Sequence, residues 1–342
     1  MMHGCLRNLT IPRAAPWFQV LVSGVSTLLC FTVAVAFWFQ PDSWAALLVL
    51  PRWLWLAPAL AFALLGGWTG RRKVLTIAVA ALWLLYAALF VEEASDLTRW
   101  QRWPSSEWQN AHEQGAAIRV VSLNCSGDEK AFAEVAAYRP DVVLLQESPG
   151  RLDVLRMADE VAGPGADAVC GGDVSIIVRG KLTPVPAPKL GNVAFTHVRA
   201  QLASGLRADV ICVRLHPYDI RVDLWSPSCW RAQSANRQLQ RWQIEQLLER
   251  IQSIPDTVPL IVGGDFNLPA NDRMLQAFAP RLRDTFRERG RGLGNTLDND
   301  ISFLRIDQIW RSDQFRAATV VTRRTVYTDH RMVVCDLLCL SQ

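Results

Sequence analysis

The residues able to do chemistry stand at the ends of short apolar runs. Val120-Val121-Ser122-Leu123 ends in Asn124, and Val142-Val143-Leu144-Leu145-Gln146 ends in Glu147. Ile211-Cys212-Val213-Arg214-Leu215 ends in His216. Leu260-Ile261-Val262-Gly263-Gly264 runs into Asp265-Phe266-Asn267, Arg305-Ile306-Asp307 opens another run, and Thr328-Asp329-His330 precedes the last. Asp265 and Asn267 are two apart and share one side of an extended chain. Side chains at strand ends have rigid bases and an open front, where sites are commonly built. Carboxylate and amide oxygens suit a hard cation such as Mg²⁺. His216 and His330 lie outside any Cys cluster and suit acid–base work. Taken singly, Asn124 reads as a turn former, Glu147 as a solvated loop carboxylate and Gly263-Gly264-Asp265 as a turn. It is their recurrence at successive strand ends that points to a site.

The same runs predict the elements that position these groups. Strands are expected over 118–123, 142–145, 175–178, 209–215, 260–262, 306–310 and 332–338. A helix over 128–139 starts at the N-cap candidate Asp128 and carries Phe132 and Val135 on one face. A second, over 228–251, shows Leu239, Trp242, Leu247, Leu248 and Ile251 at helical spacing. Strands interleaved with a few helices indicate an α/β or α+β sandwich.

In this order, Leu123-Asn124, Leu145-Gln146-Glu147, Leu215-His216, Gly263-Gly264-Asp265-Phe266-Asn267, Arg305-Ile306-Asp307 and Thr328-Asp329-His330 resemble the endonuclease/exonuclease/phosphatase superfamily. That superfamily includes deoxyribonuclease I-like enzymes, apurinic endonucleases, neutral sphingomyelinases and inositol-polyphosphate 5-phosphatases. Gly172-Asp173-Val174-Ser175-Ile176-Ile177-Val178-Arg179 looks like the family's glycine-led strand. The resemblance implies an α/β fold, a four-layer α/β sandwich over residues 117–342, behind three transmembrane helices that are no part of it. It implies metal ligation by Glu147 and Asn124, with Asp329 supporting the metal side. Asp265 and Asn267 would orient the attacking water and hold the phosphate, or bind a second metal. Asp307 would hold His330 as general base or transition-state contact, and His216 would stabilise the phosphate or protonate the leaving group. The cofactor implied is Mg²⁺, with Mn²⁺ as a substitute, as one ion or two. The chemistry is coherent: attack on a phosphodiester repels an anionic nucleophile, so a cation must neutralise the phosphate oxygens. If His330 is the base, activity falls as pH drops and the imidazole protonates.

Two stretches depart from the pattern or lie outside it. Arg214-Leu215-His216-Pro217-Tyr218 stands where many members have Thr-His-Leu, and Tyr218 to Trp230, with Trp225 and Trp230, reads as an inserted loop near the mouth. A lipid surface, a base, a lid or plain packing all fit that loop. Arg281, Arg283, Arg287, Arg289 and Arg291 form a basic run, read as a solvated helix face with Asp284 and Glu288 interspersed, or else a phosphate contact.

Composition divides the chain. Residues 14–70 carry two charges, Asp42 and Arg52, whereas residues 101–342 carry 29 basic and 28 acidic side chains. The near-neutral second part argues against a dedicated DNA-binding surface. Membrane spans are expected over 17–39, 44–68 and 74–91, with Pro51 and Arg52 interrupting the second. Residues 1–91 then form a membrane region and 92–116 a linker, whose Trp100, Trp103 and Trp108 fit either headgroups or the domain surface. Arg7 and Arg13 precede the first span and Gly70-Arg71-Arg72-Lys73 precede the third. The positive-inside rule therefore puts the catalytic part on the periplasmic or extracellular side of a bacterial-type inner membrane. None of the eight Cys falls in a Cys-x-x-Cys pair, so buried thiols are expected, with disulfides open if the domain is exported. The expected partners are a phosphate-ester substrate (lipid headgroup or nucleic acid) and the lipid bilayer, with no obligate protein partner evident. The leading expectation is a membrane-anchored Mg²⁺-dependent phosphoric-ester hydrolase. An exported nuclease and a non-catalytic tethered binding module are the alternatives.

Overall fold

The computed structural model describes residues 16–65, 72–96, 106–186, 194–217 and 220–340. The positions Arg7, Arg13, Trp100, Trp103 and Tyr218 lie outside the described residues. The chain divides into two compact units, Met1–Phe39 with Arg52–Val91, and Gln40–Pro51 with Glu92–Gln342.

Four helices come first: α1 (Pro16–Phe39), α2 (Ala45–Leu48), α3 (Leu56–Leu65) and α4 (Arg72–Phe90). Two of them are long and apolar enough to cross a membrane: Trp17–Phe39, 23 residues of mean hydropathy 2.3, and Lys73–Phe90, 18 residues of 2.0. They pack on each other, and buried polar pairs join them. Gln19 Nε2 donates to Thr76 Oγ1 at 3.2 Å, and Trp83 Nε1 to Ser26 Oγ at 3.0 Å. In an apolar surrounding such pairs satisfy each other's polar groups. The expected second span over 44–68 is not one helix. Residues 42–48 and 52–64 meet at a bend of 78°, and only as a bent pair do they count as a third span. Pro51 sits at the break, where its ring and missing N–H prevent a continuous helix. The first half of that stretch, residues 40–51, belongs to the second unit.

The second unit continues with α5 (Glu92–Asp96) and α6 (Ser106–Glu113), both within the stretch expected as a linker. Trp108 packs rather than facing solvent: it stacks on His112 at 4.6 Å and lies under the Arg119 guanidinium. Then follow β1 (Ala117–Asn124), α7 (Glu129–Glu134), β2 (Val142–Gln146), α8 (Arg151–Ala162), β3 (Ala166–Cys170), β4 (Val174–Pro184), β5 (Phe195–Leu202), β6 (Arg207–Arg214), α9 (Pro227–Gln252), β7 (Leu260–Asp265), β8 (Arg283–Asp284), α10 (Thr285–Arg289), β9 (Asp307–Arg311), β10 (Phe315–Arg323) and β11 (Met332–Cys339). Asp128 caps α7 by accepting from Lys130 N, but the helix expected to reach 139 tightens into a 3-10 turn at 135–138. Arg139 then turns left-handed (φ 49°) because Pro140 cannot follow in a helix.

The strands order as β10-β11-β1-β2-β4-β5-β6-β7-β9-β8, with β3 on β4. The long β4 belongs to two sheets: its residues 174–178 pair with β2 and its residues 180–184 with β5. The sheets face each other across a core of Val120, Leu144, Ile176, Val198, Val210, Ile261, Ile309 and Cys335. The outer face of the first sheet is covered by α7 and α8 through Phe132, Val135, Val154 and Val161. The outer face of the second is covered by α9 and the turn at 273–278 through Ile244, Leu247, Ile251 and Phe278. This is a four-layer α/β sandwich, the only burial that leaves no sheet face bare. Cys125, Cys212, Cys229 and Cys335 are buried free thiols, and no disulfide forms among the described residues.

Candidate active site

Strand direction gathers the candidate residues. β1 runs parallel to β2, with Asn124 opposite Gln146, and β6 runs parallel to β7, with Arg214 opposite Asp265. β9 runs antiparallel to β7 and sets Asp307 directly across from Asp265. All these residues therefore emerge at one end of the sandwich.

Asp265 is buried and accepts three hydrogen bonds: from Asn267 N at 2.8 Å, Asn267 Nδ2 at 3.0 Å and Asn124 Nδ2 at 3.1 Å. The same Asn124 amide donates to Glu147 Oε1 at 3.1 Å, so one side chain bridges the two sheets. Asn267 also donates to Leu215 O at 3.0 Å. His330 Nδ1 lies 2.9 Å from Asp307 Oδ2. Asp265, Asp307 and His330 place one ligand atom each within 4.8 Å of one another. Asp329 sits at the rim, where its Oδ1 accepts from Ser126 Oγ at 3.0 Å. Ser126 N in turn donates to Asn124 Oδ1. His216 is half-buried; Gln243 and Gln240 hold its backbone N–H and carbonyl at 2.7 and 2.8 Å, while its imidazole bonds to no described residue. Glu147 (φ 41°) and Asn267 (φ 47°) both adopt the left-handed region, uncommon for such residues and concentrated at working sites.

The electrostatics follow from crowding. Burial raises the Asp265 pKa, the facing Asp307 raises it further and His330 offsets part of this, leaving it at about 7. Burial by itself would lower the His330 pKa, but Asp307 outweighs it, with Asp265 and Asp329 adding, and the imidazole is pushed up to about 10. Without a metal, the three surrounding carboxylates favour the protonated form of His330.

A divalent cation fits this group. Asp307 Oδ1 is buried with no hydrogen-bond partner, a costly state for a carboxylate oxygen. The donors are oxygen and imidazole, and Glu147, Asp265, Asp307 and Asp329 outnumber the nearby cations His330 and Arg214. A hard cation supplies the missing charge.

Sequence reasoning missed Arg214 and Asp173. The Arg214 guanidinium lies between Glu147 Oε1, at 2.7 Å, and Asp173, tying the strand before His216 to the candidate metal ligand. The signal was there: an Arg at an inward position two before His216. Gln240 and Gln243 were missed too, though polar residues on the buried face of α9 mark them. In the basic run at 281–291, Arg283, Arg287 and Arg289 are exposed. Arg281 donates to the carbonyls of Pro255, Asp256 and Val258, and Arg287 lies beside Asp284 and Glu92. A depression of about 980 Å³, lined by Lys181, Arg199, Arg207 and Asp209, opens at the opposite strand ends and holds none of the candidate residues.

A profile of the Endonuclease/Exonuclease/phosphatase family matches residues 121–330, more than half of the chain. The fold and the site define a phosphoesterase or nuclease fold of that class. The chain belongs to the endonuclease/exonuclease/phosphatase family, whose members are generally hydrolases of phosphoester bonds and usually use divalent metal ions. No curated protein matches the chain. Among solved structures it is similar to an endonuclease/exonuclease/phosphatase from Bacteroides vulgatus (14% identity, 65% of this chain and 99% of that chain, TM-score 0.50). It is also similar to D. rerio TDP2 complexed with single-strand DNA product (17%, 65% and 99%, TM-score 0.47). A third is a Bacteroides thetaiotaomicron mannosyl-6-phosphatase (16%, 65% and 99%, TM-score 0.45). Of these, the first bears on the fold, and on the fold alone.

Proposed function

We propose that the chain is a membrane-tethered, divalent-metal-dependent phosphoric-ester hydrolase acting outside the cytoplasm. The observation that carries this reading is the buried Asp265–Asp307–His330 group, joined through Asn124 to Glu147, at the strand ends of a family-matched domain. Glu147, Asn124, Asp265, Asn267 and Asp329 would hold one or two ions of Mg²⁺ or Mn²⁺. Bound there, the metal supplies charge neutralisation at the phosphate oxygens. Asp265 and Asn267 orient the attacking water, and Asp265, its pKa drawn toward neutrality, accepts the water's proton. Asp307 fixes the His330 ring so that its outward N–H donates to a phosphate oxygen as charge develops. His216, with a free imidazole, protonates the leaving oxygen.

Support for the tether comes from two helices long and apolar enough to cross a membrane, Trp17–Phe39 and Lys73–Phe90, while residues 42–48 and 52–64 count as a third span only as a bent pair. Arg71-Arg72-Lys73 at the start of the Lys73–Phe90 helix favour the cytoplasm, so the hydrolase unit, which follows that helix, would lie opposite.

The test uses the full chain in detergent with a generic phosphodiester, plasmid DNA, RNA and phospholipid vesicles. Turnover that needs Mg²⁺, stops with EDTA and is abolished by Asp265→Ala supports the reading. A folded, Mg²⁺-binding chain that turns over none of the four overturns it in favour of a binding module.

A further inference from the structure

The second sheet leaves part of its outer face bare. α9 covers that face where Phe195, Ile211 and Val213 meet Ile244, Leu247 and Ile251. The helix ends at Gln252, and the chain turns back through Pro255 and Pro259 into β7. Beyond that end lies the depression of about 980 Å³, at the strand ends away from Asp265 and His330. Two cross-strand rows from β4, β5 and β6 form one wall of it. Thr183 stands opposite Arg199, and Arg199 opposite Asp209; Lys181 stands opposite Gln201, and Gln201 opposite Arg207. Their neighbours along the strands, Leu182, Ala200 and Ala208, point the other way into the core.

Three cations and one carboxylate therefore share this wall. Diagonal neighbours in such rows are about 7–8 Å apart, which puts Lys181 and Arg207 on either flank of Arg199. The carboxylate engages none of them closely. Asp209 Oδ1 lies 3.9 Å from Arg199 Nε, and its Oδ2 lies 3.6 Å from Nε2 of the buried His197. Neither ring nitrogen of His197 has a hydrogen-bond partner, an uncommon state for a buried imidazole. Among the described residues no carboxylate pairs with Lys181 or Arg207, and the Arg199 side chain is 73% exposed. Elsewhere in the unit Arg119, Arg237, Arg305 and Arg311 lie against carboxylates at 3.0 Å or less. Repulsion among the three wall cations is thus left without an offset inside the fold, and a bound anion supplies one. Past the rim of the sheet the depression turns apolar, over Leu206, Val258, Phe315 and Leu340, with Thr257 and Gln314 at its border.

We propose that this depression binds a water-soluble organic polyphosphate of the nucleotide class. Its phosphates lie on Lys181, Arg199 and Arg207, and its ring lies against Leu206, Val258 and Leu340. Guanidinium forks match phosphate oxygens and the Lys ammonium adds a point charge, so cations spread over three strands suit a chain of phosphates better than a single one. A cationic wall facing an apolar one suits a ligand with a charged end and a ring, and the volume lies at the upper end of the about 300–1,000 Å³ common for small-molecule sites. As Arg199 turns onto a phosphate it leaves Asp209 to His197, which gains the partner it lacks. The site stands apart from the hydrolytic group and does not depend on its activity.

The test is calorimetric titration of the full chain, in detergent with EDTA, by ATP, adenosine and tripolyphosphate. ATP is expected to bind one to one in the micromolar range, about tenfold or more tighter than either of the others. Lys181→Glu with Arg207→Glu, both on exposed residues, is expected to weaken ATP about 30-fold or more while leaving Tm unchanged. Should the charge reversal unfold the chain, Lys181→Gln with Arg207→Gln takes its place and is expected to weaken ATP about tenfold. Photolabelling with 8-azido-ATP locates the site, with adducts expected in residues 199–209, 255–259 or 314–315. No saturable binding of ATP, tripolyphosphate binding as tightly as ATP, ATP binding unchanged in the folded double variants, or adducts confined to peptides carrying Glu147, Asp265 or His330 would each overturn the proposal.

Discussion

Gly264→Ala is the sharpest test of how the site is built. Gly264 precedes Asp265 in β7 and has φ +140°, a conformation L side chains rarely adopt. A Cβ there would stand 2.0 Å from Val213 O and 2.9 Å from Val213 N, on the paired strand β6. Both are backbone atoms, so no side chain can swing away. Relief requires β6 and β7 to part by about an ångström, which breaks ladder bonds worth about 1 kcal/mol each. The backbone conformation itself costs about 1–3 kcal/mol for a non-glycine residue. Two or three lost bonds plus strain give about 4 kcal/mol, which for a domain of this size lowers Tm by about 8–16 °C. The assay is thermal unfolding of the full chain in detergent, followed by near-ultraviolet circular dichroism. Gly263→Ala should cost less, because the nearest atom is the flexible Leu144 Cδ1 at 2.7 Å. A Gly264→Ala variant melting within about 3 °C of wild type would refute the argument that backbone approach demands glycine here.

Three further outcomes follow from the same geometry. Asp265→Asn should lower Mg²⁺-dependent turnover about 10³-fold and abolish the rise in Tm on adding Mg²⁺, as read by scanning fluorimetry; a retained Mg²⁺ shift would exclude Asp265 as a ligand. In EDTA, stability should fall as pH rises from about 4 to about 10. The folded chain keeps the Asp265 proton up to about 7 and the His330 proton up to about 10, while the unfolded chain releases them near the ordinary values of 3.8 and 6.5. Denaturant midpoints that rise across that range, with no compensating titration, would show that these groups are not so perturbed. Arg305→Met strips the buried Asp284 of the fork at 2.7 and 3.1 Å and should destabilise the unit by about 3–5 kcal/mol; a change under about 1 kcal/mol in chemical denaturation would mean Arg287 suffices to hold Asp284.

Much of this protein is a matter of local pattern. Apolar runs of membrane-crossing length, strand-ending Asn124, Glu147, His216 and Asp265, and the Asp329-His330 pair can all be read from neighbouring residues, because strand alternation and helix length are short-range properties. The chemistry of those residue types is likewise intrinsic to them. What neighbours cannot specify is distance across the chain. Asn124 reaches Asp265 over 141 residues, and Asp307 faces Asp265 only through the antiparallel register of β7 and β9. The left-handed turns at Glu147 and Asn267, and the Arg214 guanidinium between Glu147 and Asp173, depend on the same long-range packing. So does the His330 charge state, since Asp265 and Asp307, brought to it from β7 and β9, join its sequence neighbour Asp329 in setting its proton affinity. The stretch at 40–51 makes the point most plainly. Residues 44–51 read as the start of a membrane span, yet residues 40–51 belong to the second unit, where Asp42 and Gln40 find partners on α9 and the loop after β7. Burial of charge is decided by what lies opposite, and that is a property of tertiary structure alone.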